Sequence, residues 1–98
     1  MKKVLILSRS CIHCKKLLDI HLLKLVSSDI KMLFVEDRER EEVVNKYMSL
    51  AKAKLSETNP EVENYAYIAP VLLLFSEDDS YEVLAGFTLI DNYLSENL

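Results

Sequence analysis

The sequence predicts one α/β domain over residues 1–98, with elements in the order β-α-β-α-β-β-α. Three observations predict it. Ninety-eight residues suit a single compact domain. Short apolar runs of strand length alternate with longer stretches of helical periodicity. The chain is 50% hydrophobic and 29% charged, which is the composition of a folded globular protein and not of a disordered tail.

Lys3-Val4-Leu5-Ile6-Leu7 is nearly continuous in apolar residues and ends at Ser8-Arg9-Ser10, as expected of a strand covered on both faces and followed by a loop. From Ile12 to about Val26, Leu17, Leu18, Leu22, Leu25 and Val26 recur at helical separations, while Lys15, Lys16, Asp19 and Lys24 can face water. Ser27-Ser28-Asp29 breaks the chain before Ile30 to Val35, a second buried strand. Glu36-Asp37 returns to solvent, and Glu39 to about Leu55 forms an amphipathic helix around Val43, Val44, Tyr47, Met48, Leu50, Ala51 and Leu55.

Ser56 to Pro60 stops that helix, because proline lacks an amide donor and restricts the residue before it. Ala69 to Phe75 reads as a turn entering a third strand, with Pro70 at its start. Ser76-Glu77-Asp78-Asp79-Ser80 then joins it to Tyr81-Glu82-Val83-Leu84 as an antiparallel hairpin. Gly86 permits a sharp bend, and Thr88 to Leu94 forms a short terminal helix for which Thr88 is a candidate cap. Tyr65 and Tyr67 either pack at the edge of the core or meet a partner.

Composition excludes several classes of function. One glycine and two prolines cannot build a glycine-rich phosphate loop, a dinucleotide fingerprint or a proline-rich linker. A formal net charge of -4 gives no basic excess for nucleic acid. The apolar stretch Val4–Leu7 is too short for a secretory signal core or a membrane span, so no membrane association is expected. Charge is nevertheless polarised, with six Lys/Arg and one Asp in residues 1–26 and six Lys/Arg against fifteen Asp/Glu in residues 27–98.

Both cysteines lie in that basic segment, in Cys11-Ile12-His13-Cys14. Two intervening residues on the first turn of a helix bring a pair of thiols within bonding reach. At the strand-to-helix junction Cys11 would meet the free amides and positive end of the helix, which favour a thiolate, and is the candidate nucleophile. Cys14, one turn later and more enclosed, is the candidate resolving residue. The pair reads as a redox dithiol, with a partial metal site and an inert buried pair as alternatives.

His13 is a candidate for tuning the dithiol, or else an ordinary exposed side chain, and Arg9, Lys15 and Lys16 add a weaker positive field. His21 has no visible catalytic partner and is expected to pack or hydrogen-bond. A structural zinc site needs four ligands, and the chain has no second Cys-x-x-Cys, so no metal is expected within one chain; a site shared in a dimer stays open.

The order βαβαββα, Cys11-Ile12-His13-Cys14, Ala69-Pro70-Val71 and Gly86-Phe87 together resemble the thioredoxin superfamily, most closely small glutaredoxin-like proteins, over nearly the whole chain. The resemblance implies a mixed four-stranded sheet with flanking helices. It implies a cis bond before Pro70, a substrate groove formed by Ala69 and Pro70 with Gly86 and Phe87 beside it, and exchange of disulfides with protein thiols. It implies no bound cofactor, with glutathione a candidate co-substrate and a cellular thiol as reductant. The segment from Gly86 to Asp91 departs from the acidic continuation through which glutaredoxins hold glutathione, and Ile-His replaces the frequent Pro-Tyr between the cysteines.

The reading is therefore a cytoplasmic, monomeric thiol-disulfide oxidoreductase engaged in electron transfer. A glutathione-dependent glutaredoxin and a non-enzymatic redox-sensing or interaction domain are the alternatives.

Overall fold

A computed structural model describes residues 2–98. Its strands are β1 (Lys2–Leu7), β2 (Lys31–Phe34), β3 (Val71–Phe75) and β4 (Tyr81–Ala85), and its α-helices are α1 (Ile12–Val26), α2 (Glu41–Leu55) and α3 (Phe87–Asn97). The four strands form one sheet in the order β2-β1-β3-β4. β1 and β2 are parallel, joined through α1, whereas β3 is antiparallel to both β1 and β4. The mixed sheet, the element order and the flanking helices make this a thioredoxin/glutaredoxin-like fold.

The unbroken apolar run of β1 follows from its central place. Val4 and Ile6 point to one side and join Leu33, Val71 and Leu73 against Val44, Tyr47, Met48 and Ala51 of α2. Leu5 and Leu7 point to the other and join Leu72, Cys14, Leu17 and Leu25 of α1, and Ile90 and Leu94 of α3. A strand covered on both faces has no polar side to alternate with, which is why Val4 through Leu7 are all fully buried.

The chain enters α2 through a 3-10 turn at Arg38–Arg40, so the α-helix begins at Glu41, two residues after the charged stretch begins. It ends at Leu55 as expected. Pro60 opens a second 3-10 turn, Pro60–Asn64, which Asn59 caps by accepting from the Glu61 amide at 3.3 Å. Proline suits that first position because its missing amide would have no partner there. The turn buries Val62, and Lys52 Nζ donates to the carbonyls of Tyr65 and Ala66. The rings of Tyr65 and Tyr67 are exposed.

The β3–β4 hairpin closes through Ser76–Ser80, where the Ser76 amide donates to the Ser80 carbonyl at 2.9 Å and Asp79 takes the left-handed conformation, φ 68°. Asp78 accepts from the Ser80 hydroxyl and amide at 2.6 and 3.2 Å, which holds its carboxyl below its ordinary range. Tyr81, at the start of β4, donates its hydroxyl to the Leu50 carbonyl at 2.9 Å and ties the edge strand to α2.

Two expectations change. On α1 the buried stripe is Cys14, Leu17, His21 and Leu25, while Leu22 and Val26 are 46% and 61% exposed. His21 takes the inner position because Asp91 of α3 meets it there, Nε2 to Oδ1 at 2.7 Å. Secondly, α3 begins at Phe87 with Gly86 as its N-cap, so Thr88 lies inside the first turn, exposed, and caps nothing.

Candidate active site at the start of helix α1

The site begins where β1 leaves the sheet. After Leu7 the chain turns through Ser8, Arg9 and Ser10, and the Cys11 amide donates back to the Ser8 carbonyl at 3.2 Å. Cys11 is the N-cap of α1 in extended conformation, φ -95° and ψ 121°, and its carbonyl accepts from the Lys15 amide at 3.1 Å. No side chain caps the helix. The Cys11 sulfur is therefore carried at the helix entrance and stays partly open to solvent.

Cys14 lies three residues further on, on the inner face, and is fully buried among Leu5, Leu7, Leu17 and Leu72. Burial pushes its thiol up to about 12, since an anion there loses its water. The Ser8 amide, 3.4 Å from Cys14 Sγ, acts in the opposite direction, and the neighbouring Cys11 adds to the rise. Both cysteines are free thiols.

The second wall of the site is the turn into β3. The Ala69–Pro70 peptide is cis, as the resemblance implied. Cys11 Sγ faces the Ala69 carbonyl at 3.7 Å, and Pro70 is buried behind it. The Pro70 carbonyl accepts from the Gly86 amide at 3.0 Å, which sets the start of α3 alongside the same turn. Gly86 has φ 94°, a conformation L side chains rarely adopt, and a Cβ there would meet nothing within 4 Å. Backbone conformation, and not lack of space, is what calls for glycine at this position.

Phe87, the first residue of α3, closes the rim. Its ring lies 6.3 Å from that of His13, and Lys16 Nζ sits 4.9 Å above it. Cys11, Ala69, Phe87 and Cys14 share one hydrophobic cluster. Among the described residues no hydrogen bond joins His13 to either sulfur, and its side chain is exposed. The chain matches no family model, no curated protein and no solved structure. The thioredoxin-like topology and the closely spaced cysteine pair are the whole of the likeness.

The electrostatic surroundings differ from the expected basic field. Arg9 is paired with Asp37 at 2.7 Å and lies over the Phe34 ring at 4.2 Å, so its charge is directed to the end of β2. Glu36 accepts from the Ser8 hydroxyl at 2.5 Å and from the Arg9 amide at 3.0 Å. The Ser8 bond above all holds its carboxyl below the ordinary range. In sequence, Glu36 and Asp37 read as solvated residues after a strand, with nothing local to show this arrangement. His21, expected to lie outside the site, does so in its bond to Asp91. Among the described residues no group of three or more His, Cys, Asp or Glu side chains is placed to hold a metal ion.

Proposed function

We propose that the chain is a thiol-disulfide oxidoreductase that exchanges disulfides with protein thiols through Cys11 and Cys14. The observation that carries the reading is the inequality of two sulfurs on one helical turn: Cys11 is open beside the Ala69 carbonyl, and Cys14 is fully buried beneath it. An open thiol can be reached by a bulky partner, whereas a buried one can attack only a disulfide already formed at its neighbour.

The Cys11 thiolate attacks one sulfur of a substrate disulfide, making a mixed disulfide and releasing the first substrate thiol. Cys14 then gives up its proton and attacks Cys11 Sγ. The internal disulfide forms, the bond to the substrate breaks, and the second substrate thiol leaves with a proton. Two electrons pass from the dithiol to the substrate, and a cellular thiol restores the pair. The net direction follows the partner's potential, about 30 mV being worth 1.4 kcal/mol for a two-electron couple.

Ala69, Pro70, Gly86 and Phe87 would line the groove for the substrate, with His13 and Lys16 at its rim. Glutathione is the competing co-substrate. The first turn of α3 carries no acidic residue, which favours a protein disulfide over a glutathionylated one. Purified Cys14→Ser protein, which stops after the first step, should accumulate a mixed disulfide through Cys11 with a model protein disulfide. Cys11→Ser should accumulate none and turn over nothing. Undiminished turnover in Cys11→Ser would refute the reading, and preference for a glutathionylated peptide would move it to the glutathione-linked class.

A further inference from the structure

The parallel pairing of β1 and β2 continues past the strands. Leu7 faces Phe34, and the Val35 amide donates to the Leu7 carbonyl at 2.9 Å. The next residues on each chain, Ser8-Arg9 and Glu36-Asp37, are thereby set side by side across 28 positions of sequence. Glu36 is an exposed side chain, yet both its oxygens are taken by the turn that precedes the cysteines, one by the Ser8 hydroxyl and one by the Arg9 amide. Asp37 holds the Arg9 guanidinium, and Ser8 Oγ also accepts from the Ser10 amide at 3.3 Å. Ser8 itself is 1% exposed, and its amide is the donor aimed at Cys14 Sγ.

We propose that Glu36 is a positioning residue for the resolving thiol, acting through Ser8: it fixes the 8–10 turn so that the Ser8 amide stays directed at Cys14 Sγ when that sulfur becomes an anion. The proposal rests on the dithiol reading above and concerns its second step only. In that step Cys14 loses its proton to solvent, its sulfur bonds to Cys11, and the substrate sulfur leaves with the bonding pair and takes up a proton. The developing thiolate lies in an apolar cluster, where one fixed amide donor counts for more than in water.

Glu36 also acts on Cys14 in the opposite direction, since its negative charge disfavours a second anion nearby. The two effects separate by substitution. Glu36→Gln removes the charge and keeps one oxygen for the Ser8 hydroxyl while giving up the bond from the Arg9 amide, whereas Glu36→Ala removes the charge and both acceptors. Ser8→Ala leaves charge and amide in place but removes the hydroxyl bond that joins Ser8 itself to Glu36, the Arg9 amide bond remaining.

The test uses reduced full-length protein with a substoichiometric aromatic disulfide, 5,5′-dithiobis(2-nitrobenzoate), followed by stopped-flow absorbance. Attack at Cys11 releases one coloured thiolate and resolution by Cys14 releases the second. Glu36→Ala and Ser8→Ala should slow the second phase about tenfold, the worth of roughly one hydrogen bond to a charged group, and move its pH midpoint upward. Glu36→Gln should stay within about threefold of wild type.

The proposal is overturned if Glu36→Ala and Glu36→Gln change the second phase alike, if both move its midpoint downward, or if Ser8→Ala leaves it unchanged. Circular dichroism checks folding, and should Glu36→Ala not fold, Ser8→Ala and Glu36→Gln decide. A wild-type protein that releases only the first thiolate would instead refute the dithiol reading, before any Glu36 variant is compared.

Discussion

Helices α1 and α3 both start beside the Ala69–Pro70 turn, and neither has a side-chain cap. They fill the first position in opposite ways. α1 has Cys11 at its cap, in ordinary extended backbone, and carries there a sulfur partly open to solvent. α3 has Gly86 at its cap, which has no side chain and takes a conformation few other residues tolerate. Their inner faces differ in the same sense: α3 buries Ile90 and Leu94, whereas α1 buries Cys14 and His21 among its leucines. One helix carries both cysteines, and the other supplies shape and an anchor. A corner built from two helix starts need carry thiols on only one of them.

The largest effect that would break this comparison concerns the two thiols of α1. Cys14 is fully buried and its thiol is pushed up to about 12, so it is shielded from reagent and holds far less thiolate at neutral pH than an ordinary cysteine. Limited alkylation with iodoacetamide, followed by peptide mapping, should therefore modify Cys11 almost alone. Comparable labelling of Cys14 would remove the asymmetry on which the site rests. The same shift has a stability consequence. Because the folded protein holds the Cys14 proton more tightly than the unfolded chain, its contribution is fully present below pH 9.0 and lost as pH rises toward about 12. Melting curves of the reduced protein should fall over that window more steeply than those of Cys14→Ala.

The next effect lies in the tie between the two helices. Asp91→Ala would leave His21, 3% exposed, without its partner and should cost about 1–3 kcal/mol. His21→Leu replaces the polar group by one resembling its neighbours Leu17 and Leu25 and should cost less. Urea denaturation of the two variants measures the difference. A larger loss in His21→Leu than in Asp91→Ala would mean that the packing of the ring, and not the satisfied bond, holds α1 to α3.

Gly86→Ala probes the start of α3 alone. With nothing within 4 Å of the added methyl, the cost arises from backbone conformation, about 1–3 kcal/mol at φ 94° and ψ 160°. A thermal melt should report that loss. A neutral result would show that α3 can begin without a glycine-specific conformation at its cap.

Much of this was legible from local pattern. Val4–Leu7 and Val71–Phe75 read as strands because burial on both faces leaves them continuously apolar. The end of α2 was legible because the stop before Pro60 is a covalent property of the chain. The Cys11–Cys14 spacing likewise needs only the helix to have meaning. What escaped depends on residues far apart in sequence. Glu36 acquires its partners only once β1 and β2 pair, and His21 acquires Asp91 across 70 positions when α1 and α3 meet. Without those contacts an acidic residue after a strand reads as solvated, and Leu22 looks like a better inner residue than its polar neighbour.

Thr88 gives the smallest and most discriminating case. Its residue type favours a helix cap, and a cap threonine replaced by alanine costs about 0.5–2 kcal/mol. Here the cap position belongs to Gly86, whose carbonyl accepts from the Ile90 amide at 3.4 Å, and Thr88 is exposed in the turn that follows. Thr88→Ala should therefore stay within about 0.5 kcal/mol of wild type, as exposed substitutions without special contacts do. Chemical denaturation resolves that difference. A loss above 1 kcal/mol would place the start of α3 at Thr88, separate it from the Pro70 turn, and leave α1 as the only helix that begins at the site.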